Sequence, residues 1–135
     1  MRVTEATRKA RRKQTAEVFT PRELIEEMLD KLPEDVWESV DKTFLDNSCG
    51  NGNFLVAILE RKLSLGMDPE ASLRSIYGVE LMADNVEECK QRLLALVPDV
   101  ANARAIVDKN IICHDALTYD YNFGEKPKFE FGFSQ

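Results

Sequence analysis

Lys42-Thr43-Phe44-Leu45-Asp46-Asn47-Ser48-Cys49-Gly50-Asn51-Gly52-Asn53-Phe54-Leu55-Val56 reads as a strand, a glycine turn and the start of a helix. The short apolar run Thr43 to Leu45 suits a buried strand. Asp46 closes it, Gly50 and Gly52 make a tight turn, and helical spacing begins near Asn53. Glycines at the carboxyl end of a first strand let the backbone approach a ligand, because no Cβ intervenes and positive φ costs little. Such a turn suits a nucleoside cofactor.

The flanking segments repeat this alternation. Upstream, Thr20 is placed to cap a helix with Pro21 at its first position and Glu23 completing a capping box. Leu24, Ile25, Met28, Leu29 and Leu32 form its apolar face and Pro33 ends it; Val36 to Val40, with Trp37, suits a short helix. Downstream, Leu55, Ile58, Leu59, Leu63 and Leu65 keep helical spacing up to a capping Gly66, and Met67 to Leu73 is a connector or short helix. Ser75 to Glu80 reads as a second strand, Asp84 to Val97 as a second amphipathic helix ended by Pro98, and Asn110 to His114 as a third strand. A polar segment with room for a helical turn precedes that third strand, a loop follows Asp115, and Lys128 to Phe133 suits a fourth strand. Helices alternating with single strands predict an α/β fold with a parallel sheet wound by right-handed crossovers.

With 135 residues, 44% hydrophobic and 31% charged, the chain suits a single globular unit. No run of eighteen apolar residues and no signal peptide occurs, which predicts a soluble, cytoplasmic protein with no membrane partner. Cys49, Cys89 and Cys113 are odd in number and far apart, which indicates neither a disulfide framework nor a zinc site. The net charge of −6 hides an asymmetry: residues 1–13 carry a side-chain balance of +5 and the rest −11. Residues 1–15 therefore read as a basic arm, mobile or a frayed helix, on an acidic domain over 16–135. A basic arm suits phosphate backbones, DNA among them, although a solvated tail has the same composition.

Open α/β sheets bind ligands at the carboxyl ends of their strands. Asp46, Glu80 and Asp115 fall at that end of successive strands. A carboxylate at position 80 suits the two hydroxyls of a ribose, Asp115 an adenine amino group, and Asp46 the ordering of the glycine turn beside a cationic cofactor group. Taken singly, each acid also suits a turn or cap.

The stretch Thr43 to Phe54 resembles the cofactor motif of the S-adenosylmethionine-dependent amino-group DNA methyltransferases, adenine-N6 type, which reads Asp-Pro-Ala-Cys-Gly-x-Gly-x-Phe. Asn47 and Ser48 stand in place of Pro and Ala. Ala16-Glu17-Val18-Phe19-Thr20-Pro21 resembles the family's Gly-x-Phe-x-Thr-Pro segment, Ile76 to Glu80 its ribose-binding strand, and Asn110 to Leu117 its adenine-contacting strand. His114, where Gly is common, reads as a turn residue in preference to a base. The resemblance implies a truncated Rossmann-like methyltransferase fold of three to four parallel strands, the first three in the order 3-2-1 and the fourth beside the first. It implies S-adenosylmethionine over Asp46, Ser48, Cys49, Gly50, Gly52 and Phe54, with Glu80 and Leu81 at the ribose, Asp115 and Ala116 at the adenine, and Phe19, Thr20 and Pro21 closing over the methionine end.

The family's acceptor motif, Asp/Asn-Pro-Pro-Tyr/Phe, is missing. Phe129 to Gln135 reproduces only the approach to it, and no Pro-Pro occurs in the sequence. An enzyme acting on a base must extrude it and hold it in a pocket. The expectation is thus a cofactor-binding half that needs a homodimer mate or a partner chain for methyl transfer. The alternative is a non-catalytic cofactor- or nucleic-acid-binding module. A nicotinamide dehydrogenase half is weaker, because Leu55 stands where Gly-x-Gly-x-x-Gly needs glycine.

Overall fold

Apolar residues at strand and helix periods assemble, in the computed structural model of the protein, into a four-stranded parallel sheet of order β3-β2-β1-β4. The structure describes residues 20–124 and the backbone of 131–133. The basic arm, Phe19 and residues 128–130 of the expected fourth strand lie outside the described residues. Strands β1 (Phe44–Asp46), β2 (Ile76–Glu80), β3 (Ile111–Cys113) and β4 (Phe131–Phe133) pair in parallel register, Leu45 opposite Tyr77 and Gly132, and Val79 opposite Ile112. Both the 3-2-1 order and a fourth strand beside the first are as the family resemblance implies. Helices α1 (Arg22–Asp30), α2 (Asn53–Ser64), α3 (Pro69–Arg74), α4 (Ala83–Leu96) and α5 (Ala103–Asn110) supply the connections. Among the described residues no helix is long and apolar enough to cross a membrane.

Strand alternation divides the core between two faces. Phe44, Ile76 and Ile111 point toward the helices and join Ile25, Leu29, Phe54, Leu55, Ile58, Leu59, Cys89 and Leu93. Tyr77 and Val79 point the other way and pack with Phe123, with Leu45, Ile112, Tyr119 and Tyr121 alongside. Among the described residues that second face is covered by a loop and not by a helix. Tyr77 meets Phe123 edge to face at 5.0 Å between centroids, and Tyr119 meets Phe123 at 5.2 Å. The Tyr119 hydroxyl accepts from the Phe123 amide at 3.1 Å, and the Tyr121 hydroxyl donates to the Ala116 carbonyl at 2.7 Å.

The helix α1 corrects two expectations. Pro21 is the N-cap residue itself, extended at ψ 149°, so the Thr20–Glu23 capping box does not form. The apolar face is also narrower than its spacing suggests: Ile25 and Leu29 are buried, whereas Leu24 and Met28 are exposed. The segment around Trp37 is a 3-10 turn over Glu34–Trp37. At the opposite end of the strands from the glycine turn, the fully buried Lys62 of α2 donates to the Lys42 carbonyl at 2.8 Å and the Ser75 hydroxyl at 2.6 Å. One cation thereby ties down the segments leading into β1 and β2, with its charge solvated by protein oxygens.

Candidate functional site

The carboxyl ends of β1 and β2 lie side by side because Asp46 is in register with Gly78, two residues before Glu80. From Asp46 the chain must turn back into α2 within six residues, and each step of that turn is anchored. The Ser48 amide donates to Asp46 Oδ1 at 3.1 Å, the Cys49 amide to the Val79 carbonyl at 3.0 Å, and the Gly52 amide to the Cys49 carbonyl at 2.8 Å. The Gly50 amide donates to Glu80 Oε1 at 3.1 Å. Gly50 and Gly52 both lie in the left-handed region, at φ 53° and 96°. Only glycine occupies such positions without strain.

Gly52 has a packing reason of its own. A Cβ at position 52 would stand 2.7 Å from Cys89 Sγ and 3.3 Å from the Cys89 Cα, so this glycine admits helix α4. Gly78 plays the matching part in β2, where a Cβ would stand 2.9 Å from Cys49 Sγ and 2.8 Å from Leu55 Cδ1. Cys49 and Cys89 are therefore packed beneath the turn as reduced, buried thiols, while Cys113 is exposed. Contact with the Cys89 thiol, then burial, pushes the Cys49 thiol up, so Cys49 does not suit a nucleophile.

Glu80 is a cross-link as well as a candidate ligand. Its Oε2 accepts from the Met82 amide at 3.0 Å and from Asn85 Nδ2 at 3.2 Å, while Oε1 holds Gly50. With about two lone pairs on each oxygen, Oε1 keeps one acceptor site and Oε2 is fully engaged. A bidentate grip on a ribose would thus require displacement of one of the Oε2 donors. Asp46 is fully buried, and burial pushes its carboxyl up to about 7; the nearby Glu80 carboxylate adds to the rise, and the Ser48 amide opposes it.

The end of β3 is built differently. Asp115 is exposed and its Oδ1 accepts from the Leu117 amide at 2.9 Å, while its carbonyl receives the Thr118 and Tyr119 amides. Its carboxylate so far serves the turn. His114 Nδ1 lies 2.9 Å from the Asp115 carbonyl and its ring leans on Tyr119, which agrees with the reading of His114 as a turn residue. Leu81 is 63% exposed and Leu117 93%, which leaves apolar surface beside the carboxyl ends of β2 and β3.

Of the other expected site residues, Ser48 and Gly50 are half-buried in the turn, and Ala116 is half-buried beside the aromatic loop. Cys49 and Phe54 lie inside the helical core. Thr20 is half-buried and Pro21 exposed, both at the head of α1. Phe19 lies outside the described residues. Sequence reasoning passed over Asn85, Asn53 and Arg92, which hold Glu80 and the glycine turn. Nothing in their spacing marks them, since each finds its partner through the fold.

The acceptors of the turn suit a group that donates hydrogen bonds or carries positive charge. The turn holds two buried acceptors that have no hydrogen-bond partner, Asn47 Oδ1 and Asn51 Oδ1, next to the buried Asp46 carboxyl. Among the described residues no cluster of His, Cys, Asp and Glu is arranged to hold a metal.

Comparison with known families matches residues 4–130 to the N-6 DNA Methylase family. The Type II methyltransferase M.VspI of Vibrio sp. (strain 343) is 31% identical over 108 residues, which make up 80% of this chain and 22% of that protein. The chain thus spans about a fifth of the length of this curated relative.

Proposed function

The chain belongs to the N-6 DNA methylase family, and on that premise we propose that it binds S-adenosylmethionine across the ends of β1, β2 and β3. The observation that carries this reading is the convergence of Asp46, Gly50 and Glu80, with Glu80 Oε1 holding the Gly50 amide at 3.1 Å. Bound there, S-adenosylmethionine supplies an electrophilic methyl group. The chain's own residues orient it: Asp46 faces the cationic methionine end, Glu80 takes a ribose hydroxyl on its remaining lone pair, and Leu81, Asp115 and Ala116 border the adenine. Thr20 and Pro21 close the methionine end.

The proposed reaction is methylation of adenine N6 in DNA. These 135 residues hold no Pro-Pro, so the base-holding pocket comes from polypeptide outside them, a partner chain among the sources. Among the described residues β4 pairs with β1 alone, and its outer edge offers unpaired backbone groups to such an addition. Dimers are the commonest closed arrangement.

Titration of purified protein with S-adenosylmethionine, S-adenosylhomocysteine and NAD tests the reading. Both sulfur compounds are expected to bind and NAD is not. Binding of NAD and of neither sulfur compound would overturn it. Light scattering and a methylation assay on adenine-containing DNA, with and without host-cell extract, address the acceptor half. A monomer that binds the cofactor and never gains activity would instead favour a non-catalytic binding module.

A further inference from the structure

Asn53, the first residue of α2, joins three parts of the chain that are far apart in sequence. Its Oδ1 accepts from Arg92 Nη1 of α4 at 2.8 Å, and its Nδ2 donates to the Thr20 carbonyl at 3.1 Å. The same Arg92 nitrogen donates to the Asn51 carbonyl at 3.0 Å. The direction of the amide is forced, since a guanidinium only donates and a carbonyl only accepts. Only a side chain with a donor and an acceptor on one planar group serves both neighbours. Position 53 is one that the glycine-turn motif leaves open, so Asn53 is a choice of this chain and not a demand of the turn.

Thr20 immediately precedes Pro21, the N-cap of α1, whose carbonyl receives the Ile25 amide at 3.1 Å. Proline lacks an N–H, and no side chain caps this helix start. The Thr20 carbonyl is thus a point where the head of α1 is held to the glycine turn. We propose that Asn53 and Arg92 are positioning residues that latch the Thr20–Pro21 segment onto the glycine turn and so keep the methionine end of the site closed. The effect on cofactor rests on the function proposed above; the latch itself does not.

The test is Asn53→Asp, which keeps an acceptor for Arg92 and replaces only the donor to Thr20 by a carboxylate oxygen that repels it. Without cofactor, amide exchange at the first turn of α1, Ile25 above all, is expected to quicken relative to wild type, while exchange in β2 and the melting temperature stay unchanged. S-adenosylmethionine affinity is expected to fall roughly 3- to 10-fold, the weight of a single hydrogen bond. Asn53→Ala and Arg92→Met, read the same way, should shift exchange and affinity in the same direction, and they decide the matter if the aspartate variant does not fold. Unchanged exchange at the head of α1 in the folded variants overturns the latch. Quickened exchange with unchanged affinity overturns its role at the site. Wild-type protein that binds no S-adenosylmethionine overturns the function proposed above, and the exchange measurement still decides the latch.

Discussion

Asp46 has no water-filled surroundings to share its charge, and burial places its titration near neutrality, at about 7 against an ordinary 3.8. Across that interval the folded chain keeps a proton that the unfolded chain has lost. The resulting stability is fully present below pH 4 and is lost as the pH rises through 7. Asp46→Asn keeps an acceptor for the Ser48 amide and removes the charge. Urea denaturation from pH 4 to 8 is expected to show a flatter profile for the variant, with a gain on the order of 2 to 4 kcal/mol at pH 8. Cofactor binding should move the other way. A cationic methionine end favours the ionised carboxylate, so wild-type affinity for S-adenosylmethionine is expected to rise between pH 6 and 8. The variant should bind more weakly and show no such rise in calorimetric titrations. Glu80, by contrast, is committed to Gly50, Met82 and Asn85, so its replacement would disturb the turn as well as any ligand.

The glycine turn and α4 act as a unit. Gly52 lies at φ 96° against the Cys89 side chain, Arg92 one turn further along α4 holds the Asn51 carbonyl, and Asn85 at the start of the same helix holds Glu80. Gly52→Ala should therefore carry two penalties. The left-handed backbone costs about 1 to 2 kcal/mol for a residue with a Cβ, and the clash with Cys89 costs about 1 to 3 kcal/mol more. Adding Cys89→Ala removes the sulfur at 2.7 Å but leaves the strained backbone and the crowding against the helix main chain at 3.3 Å. Denaturant midpoints should accordingly show partial recovery in the double variant. Full recovery would mean that φ at position 52 costs nothing. The packing of α1 on α2 is reinforced at its rim by Arg22, Glu26, Glu60 and Arg61. Such exposed pairs contribute little singly, and Ile25 and Leu29, both fully buried, carry the docking.

Charge is divided unevenly along the molecule, with +5 on residues 1–13 and −11 on the remainder. An acidic body repels DNA, so any affinity is expected to come from the arm. In fluorescence anisotropy, duplex binding should weaken steeply with salt, with a log–log slope of about −4 to −5 if five phosphates are neutralised. Deletion of residues 1–13 should abolish binding. Equal binding by the shortened chain would reject the arm as the contact.

Much of this fold is written in local pattern. Apolar runs of strand length, helical spacing and the glycines at 50 and 52 suffice to place β1 and α2 in a parallel α/β sheet, the order 3-2-1 with a fourth strand beside the first is what the family resemblance implies, and Asp46, Glu80 and Asp115 fall where such a sheet presents its ligands. These features are legible because each depends on neighbours within a few residues or on a rule of chain connection. The capping box at Thr20 looked equally local and does not form, because Pro21 takes the cap position. What the fold alone settled are pairings across long separations. Gly52 serves Cys89, Glu80 holds the Gly50 amide, Phe123 closes the second face over Tyr77, and Asn53 links Arg92 to Thr20. Hydrogen bonds and packing between residues 30 to 46 positions apart leave no periodic trace in the chain, since their geometry exists only once the elements between them are in place.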